Sequence, residues 1–361
     1  MTQRHDLRAL TGARGIAAWL VVLFHLRFMM PGIGGAKGPM SLGYLAVDFF
    51  FVLSGFVIWM TYAERLRGSG LAGIPDFLKR RVARVWPLHL FMLAVALLFA
   101  LAIAALGHAD WAQYPPSELP LHVLLLQNWG FTPDRLTWNV PAWSISCELA
   151  AYLLFPLLAL SLDWRRLPSW ALLAAAAAFA GFIYALFALN QAIVLGQAIT
   201  TLGVFRCLGE FAMGTIMCAL WLRWREAPLV PAIAAAATGA LLVAAHAAGL
   251  IPQTAALPSA FAALVLVLAL TAGMRGNPFE GRAVHYLGEI SYATYLGHWM
   301  LWMGYKLVFV HDHDMGWPLF ALYIAMVLAA SVLLYHFVER PAQRWVNRLE
   351  LPSGTKPQTA H

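Results

Sequence analysis

Two side chains that could take part in a reaction lie inside one apolar run, residues 10–28, LTGARGIAAWLVVLFHLRF. Burying an arginine in hydrocarbon costs roughly 2.5–3.5 kcal/mol on the milder insertion scales, so Arg14 and His25 need a reason to be there. In a helix, residues eleven apart return to nearly the same face, about 16 Å apart along the axis. The run therefore predicts a helix face with a cation toward one end and an imidazole toward the other.

Two acidic residues lie in other apolar runs at a predicted depth close to that of His25. Asp48 is part of YLAVDFFFVLSGFVIWM, and Glu148 is part of PAWSISCELAAYLLFP. A histidine and a carboxylate in one layer are suited to proton transfer, because the carboxylate can orient the imidazole and stabilise its protonated form. His25, Asp48 and Glu148 could therefore share one layer and are candidates for proton transfer.

A basic segment, FLKRRVARVWP, precedes the third apolar run. In a helix Arg80 and Arg84 are one turn apart, and with Arg81 they would form a grip for a polyphosphate, since guanidinium groups bind phosphate oxygens in pairs. The alternative is that these arginines only anchor the helix at the membrane surface.

Further polar residues fall within apolar runs and form a candidate pore or acceptor site. They are Trp143, Ser144, Arg206, Glu210, Tyr295 and His298. Arg206 and Glu210, spaced i, i+4, fit a neutralised structural pair equally well. The three cysteines, Cys147, Cys207 and Cys218, have no spacing typical of metal ligands, so we expect neither a disulfide nor a bound metal.

The composition identifies the elements that must position these residues. Hydrophobic residues make up 61% of the 361-residue chain and charged residues only 11%, against about 25% charged residues in a soluble domain. A bilayer core needs roughly 20 apolar residues per helix. Runs of that length lie near residues 7–30, 42–63, 84–107, 140–161, 168–188, 197–222, 229–250, 256–275, 288–310 and 317–338. We predict an all-α integral membrane protein with about ten transmembrane helices.

The basic residues predict the orientation of these helices. With a cytoplasmic N-terminus, 18 of the 24 lysines and arginines lie inside and three lie in outer loops. This asymmetry predicts that both termini are cytoplasmic. The net charge of +7 is then explained by topology and by anionic lipid headgroups, and no nucleic-acid partner is expected. We assign residues 1–345 to one transmembrane domain and 346–361 to a polar, disordered tail.

Six motifs give the chain a resemblance to a known family. In order along the sequence they are GARGIAAWLVVLFH, VDFFFVLSGFVI, FLKRRVARVWP, WSISCELAAYLLFP, LGEISYATYLGH and FVERP. Their order and spacing resemble membrane acyltransferase family 3 across residues 7–345. The resemblance implies a multi-pass O-acyltransferase of the bacterial inner membrane. It also implies acyl-CoA, most often acetyl-CoA, as donor on the cytoplasmic side, and a hydroxyl acceptor, commonly on a carbohydrate or glycoconjugate.

The resemblance also assigns roles to individual residues. His25 matches the family's catalytic histidine and Arg14 its first-helix arginine. Arg80, Arg81 and Arg84 match arginines associated with the donor, and Glu148 matches the glutamate of the Trp-Ser motif. Attack of a hydroxyl on a thioester needs a base, and His25 is suited to that task, with Asp48 or Glu148 completing a dyad. The alternative, transient acylation of His25, stays open.

Other functions are compatible with buried polar residues in a membrane protein. A proton-coupled transporter would also bury such groups, but it usually has repeated halves, which we do not detect here. A glycosyltransferase acting on polyprenyl-linked sugars would need a nucleotide-sugar or lipid-phosphate site. Within acyl transfer, a small-molecule acceptor such as a macrolide is an alternative to a glycan. The sequence is also compatible with a homo-oligomer.

Overall fold

The computed structural model describes residues 7–27, 37–132, 135–310 and 315–349. Within these ranges it is built from helices and contains no strand, which confirms the predicted all-α class. The α-helices are Arg8–Leu26 (α1), Lys37–Ser41 (α2), Ala46–Ser69 (α3), Ile74–Ala105 (α4), Leu119–Leu124 (α5), Ala142–Ser161 (α6), Ser169–Leu189 (α7), Ile199–Trp224 (α8), Leu229–Ala247 (α9), Gln253–Leu270 (α10), Arg282–Glu289 (α11), Ser291–Phe309 (α12), Trp317–Leu334 (α13) and Arg340–Arg348 (α14).

Each of the ten predicted apolar runs overlaps one helix of at least 18 residues. By length and composition, eight segments of the described chain can cross a membrane, and one of these, 43–105, contains both α3 and α4. The chain is therefore a membrane protein with several spanning helices. The number that cross the bilayer and their orientation stay predictions. Of the predicted tail, α14 continues to Arg348, and residues 350–361 lie outside the described part.

Glycines bring α1 close to the end of α11. A Cβ atom added to Gly288 would overlap the backbone of Thr11, and one added to Gly15 would overlap the backbone of Leu287 and Gly288. This approach lets the Arg14 guanidinium donate a 2.8 Å hydrogen bond to the Gly288 carbonyl. The last carbonyls of a helix lack partners within it and carry partial negative charge, so they suit a cation.

A second pair of glycines brings α3 and α8 together in the middle of the bundle. A Cβ atom at Gly55 would overlap the backbone of Phe211, and one at Gly214 would overlap the backbone of Val52. Small residues of this kind allow helices in membranes to pack at short range. The contact places Asp48 of α3 beside Arg206 of α8.

Helix α4 begins at Ile74, ten residues before the predicted third run, so the basic segment is part of one continuous helix. The chain after α13 forms a π-helical segment, Tyr335–Glu339, before α14. Such segments often occur at functional sites because the wider turn redirects side chains. Here the carboxylate of Glu339 accepts a hydrogen bond from Arg84 of α4.

Candidate active site

Three arginines line a cavity between α1, α3, α4, α6 and α12, which we call the arginine cavity. Its volume is about 160 Å³, and its charged lining residues are Arg14, Arg81, Arg84 and Glu148. Each arginine comes from a position that the sequence singled out. The structure thus brings together the first-helix arginine, two arginines of the basic segment and the glutamate of the Trp-Ser motif.

Two of these arginines have donors to spare. Arg14 uses one terminal nitrogen for Gly288, and Arg81 donates from one terminal nitrogen to the Tyr62 hydroxyl at 2.9 Å. The Nε–H group of each is buried and has no hydrogen-bond partner among the described residues. Buried polar groups are nearly always hydrogen-bonded, so unused guanidinium donors beside a cavity indicate a site for an oxygen-rich or anionic ligand.

The third arginine is paired more closely. Arg84 is hydrogen-bonded to Glu339, whose side chain is 2% exposed, and its guanidinium lies 5.2 Å from the centre of the Tyr292 ring. Ser54 and Tyr152 lie within hydrogen-bonding reach of Glu148. Three arginines against two glutamates leave one formal positive charge at this site.

Arg80 does not belong to the cavity lining, contrary to the prediction that it shares a phosphate grip with Arg84. Its Nε donates to Asp76 at 2.8 Å, and its side chain is 43% exposed. Around the helix Arg84 lies between the other two, about 40° from Arg80 and about 60° from Arg81. Arg81 and Arg84 lie on the half-buried side of this face, and Arg80 lies at its exposed edge.

A second and larger cavity, the histidine cavity, has a volume of about 630 Å³ and is lined by His25 and Arg206. Helices α1, α3, α6, α8 and α12 contribute to it, together with the chain segments 136–141 and 194–197. Six of its lining residues have large aromatic side chains: Phe24, Tyr44, Trp143, Tyr295, Trp299 and Trp302. A cavity with a few polar groups on an aromatic wall is typical of a small-molecule binding site.

His25 is hydrogen-bonded to a second histidine, His298. The Nδ1 of His25 lies 3.0 Å from the Val21 carbonyl and 3.1 Å from Nε2 of His298, and Nδ1 of His298 lies 3.1 Å from the Thr294 carbonyl. A carbonyl oxygen can only accept, so both rings carry their proton on Nδ1. Nε2 of His298 then accepts from His25, which leaves the Nε2 lone pair of His25 free to accept a proton.

The predicted dyad of His25 with a carboxylate is wrong. The hydrogen bonds of the described residues give His25 a histidine partner, whereas Asp48 is bound by Arg206 and Glu148 lines the other cavity. Similar depth in the membrane did not predict contact of His25 with Asp48 or Glu148, because residues at one depth can point in different directions around the bundle. Trp299 completes the surroundings of His25, with ring centres 5.1 Å apart.

The buried ion cluster is built around Arg206. Its Nε and one terminal nitrogen each lie 2.6 Å from a different oxygen of Asp48, and its other terminal nitrogen donates to the Leu195 carbonyl at 2.6 Å. Glu210 is 4.0 Å away at i, i+4. The predicted pair of Arg206 with Glu210 is therefore a secondary contact, and Asp48 is the primary partner.

Tyr295 lies between the two cavities and lines both of them. Its hydroxyl is 2.8 Å from the hydroxyl of Ser144, the α6 residue on the arginine-cavity side. Trp143, the preceding residue, lines the histidine cavity. The six residues predicted as a candidate pore or acceptor site thus lie in three places. Trp143, Ser144 and Tyr295 lie near the boundary between the cavities, His298 is paired with His25, and Arg206 and Glu210 belong to the ion cluster with Asp48.

Some residues of the site were missed by the sequence reasoning. Glu339 was visible as part of FVERP, but nothing in the sequence links it to Arg84. Ser54 and Tyr152 lie within the quoted motifs and Trp299 directly follows one, so membership of these motifs was the available signal.

The chain is similar to known acyltransferases. The family model described as an acyltransferase domain matches residues 7–336. The chain is 33% identical to the acyltransferase MdmB of Streptomyces mycarofaciens, with 98% of this chain and 96% of that protein covered. It is 29% identical to the putative membrane-bound transacylase BcsY of Komagataeibacter xylinus, covering 94% of this chain and 84% of that protein.

A shorter similarity links the chain to the O-acetyltransferase OatA of Staphylococcus aureus, 27% identical over 42% of this chain and 24% of that protein. No solved structure matches. The family model and the two long similarities all cover the helices that carry Arg14, Arg84 and His25. The chain belongs to acyltransferase family 3 and is a membrane acyltransferase.

Proposed function

We propose that this protein transfers an acyl group, most often acetyl, from acyl-CoA to a hydroxyl group of a carbohydrate or glycoconjugate. The observation that carries the proposal is the free Nε2 of His25, which faces a cavity wide enough for a sugar ring and lies next to an arginine-lined cavity. A base and an anion site on opposite sides of one boundary are the parts that acyl transfer from CoA requires.

The donor is assigned to the arginine cavity. With a volume of about 160 Å³, this cavity holds only the reactive end of a CoA thioester, so the nucleotide lies outside it. Arg81 and Arg84 are partly exposed at its mouth, where they can meet phosphate oxygens. The unused Nε–H groups of Arg14 and Arg81 are the donors available to the ligand.

The acceptor is assigned to the histidine cavity. Aromatic side chains cover the faces of sugar rings well, and the wall of this cavity carries six of them. In the reaction, the acceptor oxygen attacks the thioester carbon while its proton moves to Nε2 of His25. The C–S bond then breaks, and the CoA sulfur leaves with the proton that His25 took from the acceptor. The hydrogen bond from Nδ1 to His298 stabilises the intermediate imidazolium, in the position that a carboxylate occupies in a triad.

The proposed orientation has both termini in the cytoplasm of a bacterium, with the protein in the inner membrane. The ends of α1 and α4 that carry Arg14 and Arg81 then lie on the cytoplasmic side, where acyl-CoA is present. The support is the distribution of basic residues in the sequence. Reporter fusions at either terminus, active only in the cytoplasm, would test this orientation.

The proposal is tested by incorporation of radiolabel from acetyl-CoA into glycans of membranes that contain the protein. A general base contributes roughly 10²- to 10⁴-fold, so His25→Ala should lower the rate by at least about 100-fold. The control is His246→Ala, because His246 of α9 lines neither cavity and its hydrogen bond among the described residues is to the nearby Ile251 carbonyl. Undiminished transfer in His25→Ala would contradict the assignment.

The same experiment separates direct transfer from an acyl-histidine relay. If His25 carries the acyl group, protein quenched in acid without acceptor should hold one label at His25. If the acyl group moves directly, label stays with CoA until an acceptor hydroxyl is present. Mass spectrometry of the α1 peptide distinguishes the two results.

A further inference from the structure

The two cavities meet at a single side chain among the described residues, Tyr295 of α12. Along this helix one stripe of residues runs from the arginine cavity to the histidine cavity: Ser291 and Tyr292 line the first, Tyr295 lines both, and Trp299 and Trp302 line the second. Spacings of three and four residues keep such a stripe on one helix face. The face of α12 is thus a continuous path from the proposed donor site to the proposed acceptor site.

The location of the reacting carbon follows from this geometry and rests on the proposed function. During transfer that carbon is bonded to a sulfur that arrives through the arginine cavity and to an oxygen that arrives through the histidine cavity. It must therefore lie at the boundary between them. Tyr295 is the described residue that contacts both spaces, and its ring lies 6.3 Å from that of His298, the partner of His25.

The hydroxyl of Tyr295 lies at this boundary and carries one proton. Ser144 has one hydroxyl proton, and the Pro141 carbonyl, 3.2 Å from its oxygen, accepts that proton. In this arrangement the Tyr295 hydroxyl donates to the Ser144 oxygen at 2.8 Å. Both residues are buried. Tyr295 has one hydroxyl proton, so it donates to a ligand by turning that proton from the Ser144 oxygen to the ligand oxygen.

We propose that Tyr295 donates a hydrogen bond to the carbonyl oxygen of the acyl thioester and stabilises the negative charge that develops there. When the acceptor oxygen adds to the carbonyl carbon, the C=O electron pair moves to the oxygen that Tyr295 faces, and the acceptor proton goes to His25. When the C–S bond breaks, the pair returns to re-form C=O and the sulfur leaves with the proton from His25. Tyr295 keeps its own proton throughout, as a donor in an oxyanion hole does.

The first test removes one oxygen atom, in Tyr295→Phe. Loss of one oxyanion-hole donor costs about 100- to 1,000-fold in kcat, so the maximal rate of acetyl incorporation from acetyl-CoA should fall by about that factor, with the KM for acetyl-CoA little changed. The matched control is Tyr305→Phe on the same helix, since the Tyr305 hydroxyl donates to the Leu319 carbonyl at 2.7 Å and lines neither cavity. A loss of less than about tenfold relative to this control overturns the proposal.

The second test uses the unmodified protein and so does not depend on how a variant folds. An acyl-CoA with a short photoreactive acyl chain is bound and illuminated, and the labelled peptide is identified by mass spectrometry. Label on the α12 peptide that contains Tyr295 supports the proposal, whereas label confined to peptides of α4 overturns it. If the wild-type protein incorporates no acetyl group at all, the proposed function itself fails. Normal transfer with an unaffected Tyr295→Phe variant refutes only the role of Tyr295.

Discussion

The arginines of the two cavities are satisfied in different ways. In the histidine cavity, every nitrogen of the Arg206 guanidinium lies 2.6 Å from an oxygen of Asp48 or Leu195. In the arginine cavity, Arg14 and Arg81 each donate one hydrogen bond to a described residue, and the acceptors are an uncharged carbonyl and an uncharged hydroxyl. Arg206 is therefore paired with a carboxylate of the protein, whereas the hydrogen bonds of Arg14 and Arg81 to the described residues involve no carboxylate.

This difference separates structure from ligand binding. Desolvating an ion costs several kcal/mol, and only close partners repay that cost. The carboxylate of Asp48 offsets this cost for Arg206, so Arg206 holds α3, α8 and the loop that contains Leu195 together around the histidine cavity. Arg14 and Arg81 are hydrogen-bonded to uncharged groups, which is the arrangement expected of a site that is completed by an anionic ligand.

The strongest test of this contrast removes both anions from Arg206. In the double variant Asp48→Asn with Glu210→Gln, the buried guanidinium would have no carboxylate partner, and such a loss costs about 3–5 kcal/mol. Each single change should cost less than half of the combined loss, because Glu210 is 4.0 Å from Arg206 and can replace Asp48 in part. The measurement is the free energy of unfolding in detergent.

A third change shows whether the unpaired cation is the cause. Adding Arg206→Met to the double variant removes the buried charge and keeps an apolar side chain of similar length, so most of the lost stability should return. If the triple variant stays as unstable as the double variant, the cluster does not stabilise the fold by pairing the Arg206 charge with carboxylates.

For the arginine cavity we predict an effect on the binding of acyl-CoA, and not on the stability of the fold. Arg81→Gln removes a charged donor from the arginine cavity, and a charged hydrogen bond contributes about 1.5–3 kcal/mol, so the KM for acetyl-CoA should rise by roughly 10- to 100-fold. Arg80→Gln is the matched control one residue away, and its KM should change less than about twofold, because an exposed pair such as Arg80 with Asp76 contributes little. If both variants raised the KM equally, Arg80 would take part in donor binding, as the sequence predicts, although it does not line the arginine cavity.

Much of this contrast was accessible from the sequence alone. Hydropathy located all ten long helices, because spanning length is fixed by the bilayer. The helical period placed Arg14 and His25 on the inner side of α1, and the structure assigns them to different cavities, as their separation along the axis predicted. The motifs pointed to Glu148, Tyr295 and His298 before their surroundings were known.

The partners of these residues were not accessible. His25 and His298 are 273 positions apart, and Arg84 and Glu339 are 255 apart. Periodicity gives the direction of a side chain relative to its own helix, but the neighbour it meets depends on which helices pack together. That packing depends on close contacts such as the one between Gly55 and Phe211, and the sequence does not show which helix a given glycine will contact.

The smallest predicted effect concerns an ion pair outside the membrane-spanning helices, where the same residue types meet water. Asp163 lies between α6 and α7, and its hydrogen bond from the Arg165 side chain holds the pKa of its carboxyl below the usual 3.8. A lowered pKa means that the ionised form stabilises the fold fully above about pH 4 and that this contribution is lost as the pH falls through the lowered value. Because solvent screens the pair, its contribution should be no more than about 1 kcal/mol.

Asp163→Asn should therefore lower the free energy of unfolding by about 0.5–1 kcal/mol at neutral pH, and the difference from wild type should shrink below about pH 4. The measurement is detergent unfolding at a series of pH values, with Asp110→Asn in the loop after α4 as an exposed control. A loss as large as that of the double variant at Arg206 would mean that burial does not distinguish the two clusters. A small, acid-sensitive loss would show that the same Asp–Arg chemistry anchors the fold only where the pair is taken out of water.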